Sequence, residues 1–219
     1  MKKIIHNSIF KRFLILLFLL LIYTIICAFS YVNAVSTNIE SSVFRLHVIA
    51  NSDSKEDQNL KYIVRDSILK YINQISKNAN SKQEVIEIAQ NNINTIKEIA
   101  QNTVYENGYN YNVNIKIGNF AFPTKKYGDI SLPSGFYDAL RVEIGSASGQ
   151  NWWCVMFPPL CFVDVSSGIV PDESKEVLQE NLSTEEYSLL SESENNSDMN
   201  FKFKIVEIFQ NIGIKLAQT

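Results

Sequence analysis

Periodic spacing of apolar residues divides most of the chain into predicted helices and strands. Apolar and polar residues alternate over residues 43–50, which predicts a strand with one apolar face. Apolar residues then recur every three or four positions over residues 55–75, which predicts an amphipathic helix with Ser54 as its N-cap. The same period over residues 82–105 predicts a second helix that ends near Gly108, so the two helices form a candidate hairpin.

Beyond the second helix the period changes to two. Alternation predicts strands over residues 109–117, 136–144 and 152–157, and the polar segment between the first two is expected to form a long hairpin arm. One strand, two helices and then a series of strands is an order typical of the α+β class. We therefore predict two layers, in which a helical hairpin packs on a mostly antiparallel sheet.

The C-terminal part of the chain differs in composition from the rest. From Asp172 the sequence is acidic with a helical pattern, and residues 191–200 have the composition of a solvated linker. Residues 201–216 begin with strand-like alternation but fit an amphipathic helix better as a whole. The predicted organisation is a signal peptide or signal anchor over residues 1–34, an exported α+β domain over residues 35–170 and an acidic tail over residues 171–219.

The N-terminus has the pattern of a segment that directs export. Residues 1–12 contain four basic residues and no acidic one, and residues 13–29 contain no charge. Val32 and Ala34 fit the small-residue pattern that precedes a cleavage site, so we expect cleavage near Ala34. An uncleaved membrane anchor is the alternative, because the apolar run is close to the length that spans a bilayer. In either case the rest of the chain lies outside the cytoplasm, because positive residues stay inside.

Loss of the signal segment would make the chain more acidic. The whole sequence has 20 basic and 23 acidic residues, and residues 1–34 contain four of the basic ones and none of the acidic ones. The remaining chain therefore has 16 basic against 23 acidic residues, a formal charge of −7. An acidic surface repels a phosphate backbone, so we expect no nucleic-acid partner.

Two cysteines, Cys154 and Cys161, follow the signal segment. Thiols outside the cytoplasm tend to oxidise in pairs, so a structural disulfide is preferred over a thiol nucleophile activated by His47. An exported thiol-dependent enzyme acting on cell-wall peptides stays open as one alternative, and a membrane-tethered structural protein as another. One histidine and two cysteines are too few for a structural zinc site. We predict no catalytic residue, no metal, no cofactor and no small-molecule substrate.

The segment between the cysteines contains a double proline. If the disulfide forms, Pro158 and Pro159 are where the chain can reverse to bring the two sulfurs together. Neighbouring residues of a strand face opposite sides, so one of the two adjacent tryptophans is expected in the core and the other exposed. The stapled loop would present rigid apolar anchors to a protein partner. These anchors are Trp152, Trp153, Met156, Phe157 and Leu160.

Polar residues supply further candidates for contact with a partner. Arg45 and His47 share the strand face opposite Phe44, and a solvated face explains them as well as a binding role does. Arg65 and Arg141 are equally consistent with ion pairs to Asp53, Asp57 or Glu143. The polar candidates are Arg45, His47, Asn51, Asp53, Arg65, Arg141 and Asn151.

Two long strings of residues carry a resemblance to a known family. RLHVIANSDSKEDQNLKYIVRDSIL, residues 45–69, and SGFYDALRVEIGSASGQNWWCVMFPPLCFVD, residues 134–164, are similar to the stage II sporulation protein R family of spore-forming Firmicutes. The resemblance is weak over the second helix and absent beyond residue 170. It therefore says nothing about the tail.

The resemblance implies an exported signalling protein. Such a protein would be secreted from the forespore into the space between the two sporulating compartments. There it would activate a mother-cell membrane aspartic protease, similar to stage II sporulation protein GA, that processes the sigma-E precursor. The resemblance thus implies a ligand rather than an enzyme, and it supplies no set of catalytic residues.

Overall fold

The structure, a computed structural model, describes residues 2–160, 170–191 and 197–217, which contain seven helices and six strands. The helices are α1 (Lys2–Ser42), α2 (Lys55–Ile75), α3 (Lys82–Asn91), α4 (Ile93–Glu106), α5 (Asp172–Asn181), α6 (Thr184–Leu190) and α7 (Ser197–Ala217). The strands are β1 (Phe44–Ile49), β2 (Val113–Phe122), β3 (Lys125–Tyr127), β4 (Ile130–Leu132), β5 (Gly135–Ile144) and β6 (Asn151–Phe157).

A four-stranded mixed sheet with the order β2-β5-β1-β6 lies at the centre of the fold. β1 runs parallel to β5, whereas β2 is antiparallel to β5 and β6 is antiparallel to β1. The mostly antiparallel sheet of the prediction is therefore confirmed. β3 and β4 pair with each other in a separate hairpin, which is the predicted arm between β2 and β5.

One face of the sheet is covered by α2 and α4, which pack against each other. Phe44, Leu46 and Val48 of β1 point to this face and form the first core with apolar residues of the helices. α2 begins as predicted, because the Ser54 hydroxyl accepts the backbone N–H of Asp57 at 3.2 Å. The α+β class and the helical hairpin on the sheet are confirmed.

The opposite face of the sheet is also covered. The C-terminal end of α1, the β3–β4 hairpin and the helices that follow residue 170 contribute to a second core, in which Ile39, Tyr137 and Leu190 are fully buried. Because β1 lies between the two cores, all six of its residues are buried. The helices of the predicted tail thus share a core with the sheet.

α1 is one continuous helix that passes through the predicted cleavage site and reaches the folded domain. Within the part of the chain that the structure describes, α1 is the one helix long and apolar enough to cross a membrane, and its candidate span is Ile9–Ser42. At its end Ile39 is buried and Glu40 accepts the backbone N–H of Phe136 at 3.2 Å. The helix fits a signal segment or an anchor, and cleavage near Ala34 stays a prediction.

The C-terminal part is helical, as the sequence predicts. α5 begins at Asp172, and α7 confirms the helix predicted over residues 201–216. α7 starts at Ser197, however, inside the segment predicted to be a linker. Residues 192–196 of that segment lie outside the described residues.

A candidate partner-binding cleft along the edge strand

A cleft of about 750 Å³ lies between α2, strand β6 and the β3–β4 hairpin. The residues 150–154 form its floor, along the edge strand of the sheet. α2 contributes Lys61, Tyr62, Arg65, Asp66 and Leu69, and the hairpin contributes Lys125, Lys126, Tyr127 and Gly128. Aromatic rings and cationic side chains therefore share one concave surface, which we call the edge-strand cleft.

Trp152 lies at the side of the cleft formed by α2. Its ring meets the Tyr62 ring edge-on at 5.3 Å between centroids, and the Arg65 guanidinium lies 4.4 Å from the ring centroid. A cation over the face of an indole is attracted by the ring quadrupole. The buried indole N–H of Trp152 has no acceptor among the described residues.

Trp153 lies on the other face of the sheet. Its ring stacks on His47 at 3.7 Å between centroids and contacts Phe122 at 4.7 Å. The sequence predicted one core tryptophan and one exposed tryptophan. Both are half-buried instead, because β6 is at the sheet edge and each face of that edge is only partly covered.

His47 is 4% exposed and makes a hydrogen bond of 2.7 Å between its Nε2 atom and Oδ1 of Asn151. Burial lowers the pKa of His47 to about 4, with Arg141 acting in the same direction and the contact to Asn151 opposing it. The imidazole is therefore neutral near pH 7. It holds Trp153 in place by stacking rather than by charge.

Arg45 is fully buried on the same face of β1. Its guanidinium lies 4.1 Å from the Phe122 ring centroid and 4.7 Å from that of Tyr137, and it donates a hydrogen bond of 2.6 Å to the Tyr127 hydroxyl. The interpretation of Arg45 and His47 as a solvated face is wrong, because the second core covers them. Arg45 acts on the cleft by fixing Tyr127.

Lys61, Arg65 and Asp66 together give the α2 wall of the cleft a formal charge of +1. Lys61 is 1% exposed, and its ammonium donates to neutral acceptors, the Gln58 side chain at 2.5 Å and the backbone oxygen of Gln150 at 3.2 Å. Burial lowers the pKa of Lys61, and the neighbouring Arg65 lowers it further. Arg65 itself pairs with Asp66 at 2.7 Å, not with the predicted acids Asp53 or Asp57.

Asn51 and Asp53 fix the turn that leads into β6. Asn51 donates to the Asp57 carboxylate at 2.9 Å and accepts the backbone N–H of Ser146 at 2.9 Å, while Asp53 accepts the backbone N–H of Gln150 at 2.7 Å. Burial alone would raise the pKa of Asp57, but hydrogen bonds from Ser52 and Asn51 outweigh it and lower that pKa. These residues position the floor of the cleft.

Arg141 lies outside the cleft, on the adjacent strand β5. Its Nε pairs at 2.9 Å with Glu143, one of the three acids that the sequence offered as ion-pair partners. The guanidinium also lies 5.4 Å from the Phe120 ring centroid. The structure does not bring Arg141 together with the tryptophans in one surface.

The turn after β6 differs from the expected exposed tip. The chain turns at the double proline, where Leu160 N–H donates to the Pro158 carbonyl at 2.8 Å and Pro159 is exposed. Met156, Phe157 and Leu160 are 5%, 6% and 1% exposed, so the prediction that they form exposed anchors is wrong. They fill the two cores that enclose the end of β6.

Of the two predicted disulfide partners, the described residues include Cys154. Cys154 is 1% exposed in the first core, and Cys161 lies outside the described residues, so their pairing stays a prediction. Cys154 pairs with Leu46 in the β1–β6 register and packs under the helices, whereas His47 faces the second core. The sheet therefore separates Cys154 from the histidine that a thiol nucleophile would need.

The cleft contains residues that sequence reasoning missed. The sequence pattern places Lys61 and Tyr62 on an amphipathic helix and Lys125 and Tyr127 in a polar arm, and it gives them no further role. One signal was available, since Tyr62 and Arg65 are three positions apart and so share a helix face. Nothing in the pattern showed that this face would meet β6.

Comparison with known proteins assigns the family. The sequence profile of stage II sporulation protein R matches residues 40–167, more than half of the chain. The chain belongs to the stage II sporulation protein R family. Stage II sporulation protein R of Bacillus subtilis (strain 168) is 38% identical over 138 residues, which are 63% of this chain and 62% of that relative. No solved structure matches the chain.

Membership of the family supports a role in sporulation and confirms the resemblance found in the sequence. The chain spans less than two thirds of the length of the curated relative it matches. The matched region, residues 40–167, includes every described residue that lines the edge-strand cleft. It excludes most of α1 and all of α5 to α7.

Proposed function

We propose that this protein is an exported sporulation signal that activates a membrane-embedded aspartic protease, similar to stage II sporulation protein GA, which then processes the sigma-E precursor. The forespore would secrete the domain into the space between the two compartments, and the protease would receive it there. Family membership and the apolar N-terminal helix support this proposal. The observation that carries it is the edge-strand cleft, a built concave surface inside the region that the family shares.

The chemistry of the cleft indicates what kind of partner segment it would take. Tryptophan and arginine are the residues most enriched where protein interfaces are strongest, and here Trp152 and Arg65 stack on one another. Four cationic residues line the cleft against one acidic residue, Asp66, so the cleft is cationic within an acidic chain; the four are Lys61, Arg65, Lys125 and Lys126. A partner segment that combines carboxylates with apolar side chains would complement this surface.

Activation would follow from differential binding. A ligand shifts a receptor toward the active arrangement only if it binds that arrangement more tightly than the inactive one. The cleft is held by contacts within this chain, notably the Tyr62–Trp152 and His47–Trp153 ring pairs. A preorganised surface of this kind loses little conformational entropy on binding, so more of the contact energy is left to bias the receptor.

Reconstitution tests the proposal. This chain, the cognate protease and the sigma-E precursor are coexpressed in a host that does not sporulate, and precursor cleavage is measured. We expect cleavage only when this chain is present. Arg65→Glu is expected to lower the cleavage rate by roughly tenfold or more, because it reverses charge and removes the cation over Trp152.

Lys70→Glu is the matched control, because Lys70 is an exposed lysine of the same helix outside the cleft. Secretion level and thermal unfolding of both variants show whether either change disturbs the fold. Cleavage without this chain would reject the activator role. Equal activity of the two variants would keep the activator role but place its contact surface elsewhere.

A further inference from the structure

The C-terminal half of α7 exposes a row of large apolar side chains. Ile208, Ile212 and Leu216 are 56%, 51% and 71% exposed and follow one another at intervals of four residues. Residues four apart lie on one helix face, and the half-exposed Ile205 falls on the same side. We call these four residues the apolar face of α7. A contiguous row of this kind on a protein surface marks a contact with a protein or a membrane.

α7 is fixed to the rest of the molecule by its other side. Val206 is fully buried, and the Phe209 ring meets the Phe29 ring of α1 edge-on at 6.2 Å between centroids. Phe203 packs on the second core, which contains Ile39 of α1. The earlier residue of α7, Phe203, therefore lies toward the later residue of α1, Ile39, and the later Phe209 lies at the earlier Phe29. The two helices are antiparallel. The end of α7 points toward the apolar part of α1.

The contact between Phe209 and Phe29 lies close to the expected membrane boundary. Arg12 is the last charged residue before the uncharged run that continues to Ile39. Phe29 is 17 residues after Arg12, which corresponds to about 26 Å of helix at 1.5 Å per residue. The hydrocarbon core of a bilayer is about 30 Å thick. With Arg12 at the inner boundary, Phe29 and Phe209 lie near the outer one.

A polar face lies beside the apolar face of α7. Lys204, Glu207, Asn211 and Lys215 share it, and Lys204 pairs with Glu207 at 2.6 Å. A helix with one apolar face and one face containing lysines has the composition of helices that contact lipid at the boundary of a membrane. The long stems of lysine allow the charge to reach water while the helix touches lipid.

We propose that, in the chain that keeps α1 as an anchor, the apolar face of α7 enters the outer leaflet of the membrane that α1 crosses, so that the domain is held at the bilayer by two helices. The continuity between this face and the apolar segment of α1 favours lipid over a second copy of the chain. The inference concerns a surface outside the family match and does not depend on the proposed function. It would hold whether or not this protein activates a protease.

Depth-dependent quenching tests the proposal in the full-length chain. The protein is reconstituted in mixed vesicles of phosphatidylethanolamine and phosphatidylglycerol, with an environment-sensitive fluorescent amino acid in place of Ile212. In the matched control the same amino acid replaces Asn211, the neighbouring exposed residue on the polar face. Lipids that carry a nitroxide just below the headgroup are expected to quench position 212 at least about twofold more than position 211.

Two results would overturn the proposal. Equal quenching at the two positions would show that the apolar face has no preferred contact with lipid. Weak lipid quenching at position 212, together with emission that changes with the ratio of protein to lipid, would show that a second copy covers the face. Circular dichroism of both labelled proteins confirms that each keeps its helical content.

Discussion

At the scale of single residues, the burial of His47 makes folding sensitive to acid. The pKa of His47 is about 4 in the folded chain and near 6.5 in an unfolded one. Between these values the unfolded state binds more protons, so the free energy of unfolding falls as pH drops from 6.5 toward 4. At pH 5 the loss that His47 causes is about 2 kcal/mol.

His47→Gln tests this effect, because glutamine removes the titrating group and can still form a hydrogen bond with Asn151. Relative to the unchanged chain, we expect the free energy of unfolding of His47→Gln to rise by about 2 kcal/mol between pH 7.5 and pH 5. Chemical denaturation at both pH values measures it. A difference between the two proteins that does not change with pH would contradict the burial of a neutral imidazole.

Glu40 changes the free energy of unfolding over much of the same pH range, but in the opposite direction to His47. The effect of His47 is therefore measured by comparing His47→Gln with the unchanged chain. Burial raises the pKa of Glu40 to about 7, against opposing contributions from Phe136 N–H and Lys82. The folded state binds the proton more tightly there, so Glu40 lowers stability as pH rises from 4.5 toward 7. In the unchanged chain the two effects partly cancel. His47→Gln leaves the effect of Glu40 in place.

The sequence predicted which face of β1 each residue takes, but not how deeply it is buried. Alternation correctly put Arg45 and His47 opposite Phe44 and Leu46. Polar character then suggested a solvated face, and this was wrong. Arg45 is tolerated inside because Phe122, Tyr127 and Tyr137 surround its guanidinium, an arrangement of rings from distant elements that no local pattern shows.

At the scale of elements, the sequence predicted the ends of a helix correctly where the capping residue and the apolar period indicate the same boundary. α2 spans Lys55–Ile75 as predicted, because the Ser54 cap and the apolar period mark the same start. The second predicted helix is broken at Asn92 into α3 and α4. The Asn92 side chain donates to the Ile88 carbonyl and accepts from the Tyr71 hydroxyl, so it competes with the helix backbone. Because the apolar period continues across Asn92, the sequence pattern does not reveal the break.

The turn between β5 and β6 depends on a glycine that sets the floor of the cleft. Gly145 has φ +58°, and a Cβ atom there would collide with the Asn51 side chain that holds the turn. Gly145→Ala is expected to lower the free energy of unfolding by about 1–3 kcal/mol. Gly213→Ala is the matched control, because Gly213 lies in α7 with open space around it. That change is expected to raise stability by about 0.5–1 kcal/mol.

Thermal unfolding of the two variants measures both effects. The opposite signs matter, since a shared loss of stability would mean that any added methyl group disturbs this chain. A Gly145→Ala protein as stable as the unchanged chain would show that the clamp between Asn51 and the turn does not hold β6 in position.

At the scale of the whole molecule, the sequence predicted the sheet and the first helical layer but not what covers the other face. The strands and the α2–α4 hairpin each have a clear period, which assigns them to one core. The second core joins the end of α1, the β3–β4 hairpin and helices after residue 170. These segments are far apart in sequence, and their apolar residues indicate helices without indicating which surface the helices meet.

The edge-strand cleft and the whole chain carry charges of opposite sign. The chain has an excess of acidic residues, yet the edge-strand cleft gathers Lys61, Arg65 and Lys125. A local positive region on an acidic molecule orients an acidic partner during approach. We therefore expect the association rate with the proposed membrane protease, held in nanodiscs, to fall by about tenfold between low and physiological salt.

The variants used for precursor cleavage separate the cleft from overall charge. Arg65→Glu and Lys70→Glu change the net charge equally, but only Arg65 lies in the cleft. If the cleft steers the partner, Arg65→Glu should flatten the dependence of the association rate on salt and Lys70→Glu should leave it intact. If both variants flatten it equally, the steering comes from the net charge of the molecule, and the cleft would then contribute through its aromatic contacts alone.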